Sequence, residues 1–332
     1  MNTFHESKTP TQDELNEMNI LYNNLKNISL FQFPENNFDI SSKKFFYVKD
    51  SFNKIKAYCI VRETNLKKLN FLKTANIYFG VISLDDNLKN DLLQFIIKSY
   101  KSKKFAEIFI YYLNEYFVYK INQKKIKLDN LERGTLIIDL KIGLEKIQNN
   151  YSKHLKRNLK KGLNLNLIVK ELDFKFSENA YEIYELMSKK REIDFVTKSE
   201  FLNLYKYSQK NGFCLGCFFN EKLIGGMFCI IQGNRIEYFI GFTDPNHKHL
   251  PQSHLTFDKA IELSCKLGLE YFDMGGAVKD IDDKNQIFNI NKFKYGFTKN
   301  FINYQPSIKF DLNKIMSLLK YFYLKTHELI IK

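Results

Sequence analysis

Three apolar runs, Phe213 to Phe219, Leu223 to Ile231 and Ile236 to Phe242, follow one another with only short breaks between them. This pattern constrains the chain more than any other. Each run is too short and too evenly apolar for an amphipathic helix, and the breaks carry Asn220 with Glu221 and Gly233 with Asn234. Asn and Gly take positive φ at little cost, so the breaks predict two hairpin turns and three antiparallel strands side by side. A strand at Leu165 to Val169 and amphipathic helices near Ala180 to Lys190 and Ser199 to Gln209 precede them. After them come a helix from Ser253 to Leu267, with Gly268 as its C′ residue, and the strand Leu269 to Asp273 with a Gly-Gly turn behind it in YFDMGG. A helix near Ile287 to Phe297 carrying FKYGF, a strand near Phe301 to Phe310 and a last helix complete the pattern.

The first half repeats this order more loosely. Strands at Phe45 to Lys49, Ile55 to Arg62 and Ile77 to Val81 precede a helix at Asn87 to Tyr100 and strands at Phe105 to Ile110 and Thr135 to Leu140. Element order alone therefore predicts two similar units, residues 1–150 and 151–332, joined by a helix in the basic segment Gly143 to Lys161. With 44% apolar and 15% aromatic residues and no long Pro, Gly or Ser tract, order is expected everywhere except roughly the first ten residues.

The net charge of +14 permits a polyanionic partner without requiring one. Only five of the 51 basic residues are arginine, and Lys, Asn, Ile, Phe and Tyr are abundant together, as an AT-rich coding sequence would give. Five cysteines make an odd number in a chain too large to need disulfides. The N-terminal stretch has no apolar signal core, and no run is long enough to cross a membrane, so a cytoplasmic protein is expected.

Several motifs offer chemistry. Cys214 and Cys217 have the spacing of half a zinc site, but they stand in an alternating apolar run and suit strand packing better. His247, His249 and His254 have no carboxylate or thiol beside them at ligand spacing, so no metal is expected. FDMGGAVKD, from Phe272, has a strand and glycines that suit S-adenosylmethionine binding, but it lacks the third glycine and the opening βαβ position. In YSKHLKRNLKKG, Lys153, Arg157 and Lys161 share one helical face, a stripe able to hold phosphates or to be a solvated surface. The last helix places Ile315, Leu318, Leu319 and Phe322 on one side. Packing on the protein body is expected of it, ahead of docking on a membrane surface.

Together GTLIIDL from Gly134, RNLKKG from Arg157, LIGGM from Leu223, CKLGLEYFDMGG from Cys265 and FKYGF from Phe293 resemble the Fem-type (FemAB and FemX) peptidoglycan bridge aminoacyltransferases of the GNAT acyltransferase superfamily. The resemblance spans roughly residues 30 to 310 and follows the shorter relatives that lack a helical arm. It implies an α/β (α+β) fold of tandem GNAT-like domains, each a mixed, mostly antiparallel sheet flanked by helices. The first would be partly degenerate and lie on the acceptor side, and the second would hold the transfer site. Such enzymes pass an aminoacyl group from a charged tRNA to an amine of a muropeptide precursor, whereas other GNAT members use acyl-CoA.

By that resemblance Lys294 is the catalytic residue, a cation between Phe293 and Tyr295 near the reacting carbonyl and donor phosphates, and Phe293, Tyr295 and Tyr238 would contact substrate. Arg191 would hold acceptor phosphates. Lys189, Phe195 and Thr298 stand where the family often has Thr, Tyr and Gly, which bears on the muropeptide acceptor more than on acyl transfer. Acetyl-CoA enzymes present a Gln or Arg and two glycines at the helix after the third hairpin strand, so that bare N–H groups grip pyrophosphate. HLPQSHLTF offers Gln252 without glycine, and Ser253 is the expected cap.

Two functions are therefore expected in competition. One is an N-acyltransferase without a permanent cofactor, acting on a nucleotide- or lipid-linked envelope precursor, with charged tRNA ahead of acyl-CoA as donor and peripheral contact with the inner membrane surface. Its acyl-CoA form would be an N-acetyltransferase of a sugar or small amine. The other is a non-catalytic module that holds tRNA or anionic lipid through the basic segment.

Overall fold

The computed structural model describes residues 2–24, 32, 34, 42–66, 69–111, 113–114, 126–127, 132–191, 196–279, 286–305 and 307–330. Phe195 lies outside the described residues. The chain divides into two compact units, one of Gly134–Ile302 and the other of the segments before and after it. The expected boundary at residue 150 is thus displaced, and the chain after Ile302 belongs with the first unit instead of the second.

In the first unit the order is β1 (Thr3–Ser7), α1 (Gln12–Asn23), β2 (Ser42–Lys49), β3 (Ile55–Leu66), β4 (Leu69–Tyr78), β5 (Ile82–Ser83), α2 (Asp86–Ser102), β6 (Glu107–Tyr111), β7 (Leu113–Asn114) and β8 (Ile126–Lys127). The second unit follows with β9 (Arg133–Asp139), α3 (Leu144–Asn149), α4 (Lys153–Asn164), β10 (Ile168–Glu171), α5 (Ser177–Arg191), α6 (Lys198–Asn211), β11 (Gly212–Phe219), β12 (Lys222–Gln232), β13 (Arg235–Thr243), α7 (Gln252–Lys266), β14 (Tyr271–Val278), α8 (Gln286–Lys294) and β15 (Phe301–Gln305). The chain ends with β16 (Ile308–Asp311) and α9 (Lys314–Ile330).

The first sheet runs β1-β2-β3-β4-β6-β16-β8, with β5 on β3. Its β4 and β6 are parallel, from Thr74 opposite Glu107 to Tyr78 opposite Tyr111. A parallel pair needs a crossover, and α2 supplies it. Asp85 caps α2 by accepting from the Asn87 amide at 2.8 Å. Its face of Leu92, Leu93, Ile96, Ile97 and Tyr100 packs on Phe46, Ile77 and Ile108 of the sheet. The first residues, expected to be unstructured, form β1 antiparallel to β2. Phe4 packs on that same core, which is enough to order a terminal strand.

The second sheet runs β10-β11-β12-β13-β14-β9, with β15 beyond β9. The three apolar runs are β11, β12 and β13, antiparallel as expected. Asn220 and Glu221 have φ of 47° and 65° and Gly233 has φ of 57°, the left-handed geometry that hairpins with native twist require. Gly268 has φ of 71° behind α7. Both domains are thus mixed, mostly antiparallel sheets flanked by helices.

Three local expectations change. The joining helix is two helices, because Tyr151 turns into the core and Ser152 caps a new start by accepting from the Leu155 amide at 3.2 Å. Strand β9 joins the second unit, where Leu136, Ile138 and Leu140 share a core with Phe272 and Met274. The glycine pair is no turn: β14 continues through Gly275 and Gly276 to Val278.

Candidate functional site

The parallel pair of the second unit parts after a short contact. Arg235, Ile236 and Glu237 of β13 stand opposite Tyr271, Phe272 and Asp273 of β14, and there the pairing ends although both strands go on. A carboxylate anchors the point of parting. Asp273 is buried, and the Arg235 guanidinium and the Thr135 hydroxyl both donate to it. The Gly275 amide donates to the same carboxylate at 2.7 Å, and Gly275 has φ of 76° within the strand. Any other residue there would be strained.

Beyond the parting, side chains of α8 take over the backbone of β14. Asn291 donates to the Val278 carbonyl and accepts from the Val278 amide at 3.3 Å. Lys294 donates to the Gly276 carbonyl at 2.7 Å. Lys294 is 6% exposed, and among the described residues no carboxylate stands within ion-pair distance of its ammonium. Burial lowers its pKa from 10.5 to about 8. Only one of its three N–H bonds is accounted for, and its Nζ is 5.9 Å from the Tyr238 ring centroid. Gly275 matters here a second time: a Cβ at this position would come within 3.7 Å of Lys294 Nζ and 3.4 Å of the Tyr238 carbonyl.

Tyr238 lies on β13, packed on Phe257 of α7. Burial pushes its phenol up to about 12, and the positive charge of Arg191 at the end of α5 opposes that rise. Tyr238 thus stands near Lys294 by geometry and feels the charge of Arg191. Glu237, next to Tyr238, accepts from the Gln232 amide at 3.3 Å, and burial raises its carboxyl pKa.

The other expected residues stand elsewhere. Phe293 and Tyr295 flank Lys294 in sequence, but successive helical positions point about 100° apart. Phe293 turns toward His254 and Phe257 in the core, and Tyr295 has Lys299 over its ring. The ring near the Lys294 ammonium is Tyr238's.

Gln252 is buried, and its amide orientation is assigned from its partners: turned with nitrogen toward the loop it donates to the Leu250 and His247 carbonyls at 2.9 and 3.0 Å, a better fit than the 3.4 Å bond to the Ile224 carbonyl in the opposite orientation. It holds the loop before α7 instead of facing out. Ser253 is no cap: the helix begins at Gln252 behind Pro251, and the amides of His254 and Leu255 already bond to the Pro251 carbonyl.

On α4, Lys153 and Arg157 are exposed, while Lys161 donates to the His249 carbonyl at 3.0 Å. Lys161 is thus tied to the loop before α7. Cys214 and Cys217 are buried free thiols on opposite faces of β11, which forbids a shared metal. Among the described residues no group of His, Cys, Asp or Glu could hold a metal ion. His254 is half-buried, its pKa lowered to about 4 by desolvation and by His154.

Sequence reasoning missed Asn291, Glu237 and the role of Asp273. Asp273 and Asn291 stand in or beside quoted motifs, yet their partners Arg235, Thr135 and Val278 are distant in sequence, so their roles show only in the folded chain.

No protein-family model and no curated protein matches the sequence. Solved structures match over nearly the whole chain. FemX superposes with a TM-score of 0.73 at 11% identity, covering 95% of this chain and 99% of FemX. The L-PGS of Bacillus licheniformis gives 0.60 at 12%, covering 92% and 94%. A tandem GNAT protein from the clavulanic acid biosynthesis pathway gives 0.57 at 7%, covering 94% and 99%. The chain shares the fold of these structures, two GNAT-like domains in tandem.

Proposed function

We propose, from the tandem GNAT fold shared with FemX, that the protein is an N-acyltransferase that moves an aminoacyl or acyl group onto an amine of a cell-envelope precursor of peptidoglycan or surface polysaccharide. The observation that carries the reading is Lys294. A buried ammonium without a carboxylate is costly, and it suits a site where negative charge arrives with the substrate or develops during reaction.

In the reaction the acceptor amine attacks the donor carbonyl, forming the C–N bond and an oxyanion. The C–O bond of a tRNA ester, or the C–S bond of a thioester, then breaks, and the proton lost by the amine goes to the leaving group. Lys294 faces the oxyanion or the donor phosphate and stabilises the charge in a site of low dielectric. Tyr238 stays protonated at neutral pH and serves as a second donor. Arg191, beyond it, binds acceptor phosphate.

Charged tRNA is the first donor and acyl-CoA the second. Against CoA stands the start of α7, where Pro251 has no N–H to give and the Gln252 amide is spent on the loop. In favour of a polyanion stands the exposed pair Lys153 and Arg157 on α4. The test is a transfer assay with charged tRNA and with acyl-CoA, on wild type and on Lys294→Ala. Transfer from tRNA that falls at least a hundredfold in the variant supports the reading. Unchanged activity in the variant removes Lys294 from the mechanism, and transfer from neither donor to any amine acceptor sinks the enzyme itself.

A further inference from the structure

Helix α9 was expected to pack on the body of the protein through Ile315, Leu318, Leu319 and Phe322, and it does the reverse. Those residues are 72%, 56%, 48% and 60% exposed, and Tyr321 beside them is 56% exposed. The polar side faces inward. Ser317 donates to the Ala106 carbonyl at 3.0 Å, and Lys320 reaches the buried Glu107 at 2.6 Å and stands 4.4 Å from the Phe109 ring centroid. Lys309 of β16 holds the other oxygen of Glu107 at 2.8 Å. Ion pairs and hydrogen bonds therefore fix the helix on the sheet of the first unit, and they fix it with its apolar stripe in water.

We propose that this outward face of α9 lies in the headgroup region of an anionic lipid bilayer. Residues 315, 318, 319 and 322 follow helical spacing and make one stripe. Lys314 is exposed on the same arc, and the sequence repeats the combination at Lys325 and Leu329, with Glu328 as the only acid of the helix. Lysines set among Ile, Leu, Phe and Tyr suit a bilayer surface, where the rings and aliphatic groups enter the acyl boundary and the ammonium groups stay with the phosphates. A second copy fits less well. Two chains of net charge +14 repel each other.

Among the described residues no helix is long and apolar enough to cross a membrane, so this contact lies on the surface. It is independent of the chemistry proposed for the second unit.

The test is flotation of the full chain with vesicles of phosphatidylcholine, alone or mixed with phosphatidylglycerol. Binding is expected to the mixed vesicles, at least tenfold weaker after Ile315→Gln, Leu318→Gln and Leu319→Gln together, and a few-fold weaker after Lys314→Gln. The chain contains no tryptophan, so Leu318→Trp gives a single fluorophore whose emission should shift to the blue on mixed vesicles. Four results would overturn the proposal. They are absence of vesicle binding, binding that the triple variant leaves intact, an unshifted Trp emission on protein that floats, or a wild-type dimer in sedimentation that the triple variant abolishes. Circular dichroism of each variant separates loss of binding from loss of fold.

Discussion

The two units build the same parallel pair and end it differently. In the first, β4 and β6 stay paired from Thr74 to Tyr78, and the Phe79 amide extends the contact to the Tyr111 carbonyl at 2.8 Å. Tyr78 and Tyr111 stack with centroids 5.1 Å apart, and the Arg62 guanidinium lies 5.6 Å from the Tyr78 ring centroid. In the second, β13 and β14 part after Glu237 and Asp273, and the backbone of β14 beyond them bonds to Asn291 and Lys294. One fold thus gives a pair zipped beyond Tyr78 and a pair that parts, where side chains of α8 bond to β14 instead. We propose that the first unit has lost the transfer site and kept the scaffold.

The sharpest way to break this comparison is Lys294→Met, which keeps the volume and removes the charge. Transfer should fall by two to three orders of magnitude, the scale of a lost oxyanion donor, while the melting temperature holds or rises. A variant that keeps full activity would equate the two pairs functionally.

The pH response follows from the same ammonium. Its folded pKa, about 8, lies below the unfolded value near 10.5, so the folded state binds fewer protons between those values. Stability relative to Lys294→Met should therefore rise with pH from about 8 to 10.5, by on the order of 3 kcal/mol, and stay flat below 8. Denaturant titrations of both proteins across that window check the sign. The kcat/KM of the free enzyme should decline above about pH 8 as the charge is lost.

Gly275→Val tests the space between the strands. Strain at positive φ costs about 1–2 kcal/mol, and the added side chain crowds Lys294, so kcat/KM should drop roughly tenfold or more while the protein stays folded. The smallest effect on activity is expected in the other unit. Tyr78→Ala should cost about 1–3 kcal/mol by lost ring packing, read from thermal unfolding, and change the transfer rate by less than twofold. A large rate loss there would show that the zipped pair also serves the reaction.

Much of the second unit was legible in the sequence because its signals are local. The hairpins follow from Asn220 and Gly233, the end of α7 from Gly268, and the run of β11, β12 and β13 from apolar patterning. Lys294 was found through FKYGF, but its surroundings were assigned to Phe293 and Tyr295 because neighbours in sequence are not neighbours on a helix. Tyr238, expected at the substrate, is the ring beside the ammonium, a placement visible only in the folded chain. Gln252 and Ser253 were expected to face a ligand, and the loop before α7 instead consumes the amide of the one and denies the other a capping role. The stripe of α9 was periodic in sequence, and periodicity does not say which way a helix turns.

The sequence by itself determined the three hairpin strands, the end of α7 and the tandem arrangement, since these rest on turn chemistry and short-range periodicity, and the resemblance carried by FKYGF singled out Lys294. The tertiary structure decided where the units divide, how far the parallel strands of each stay paired, and which face of α9 meets water. Those outcomes depend on groups far apart in the chain, such as Thr135, Arg235 and Asp273 or Glu107 and Lys320, whose contacts exist only once the sheets have formed.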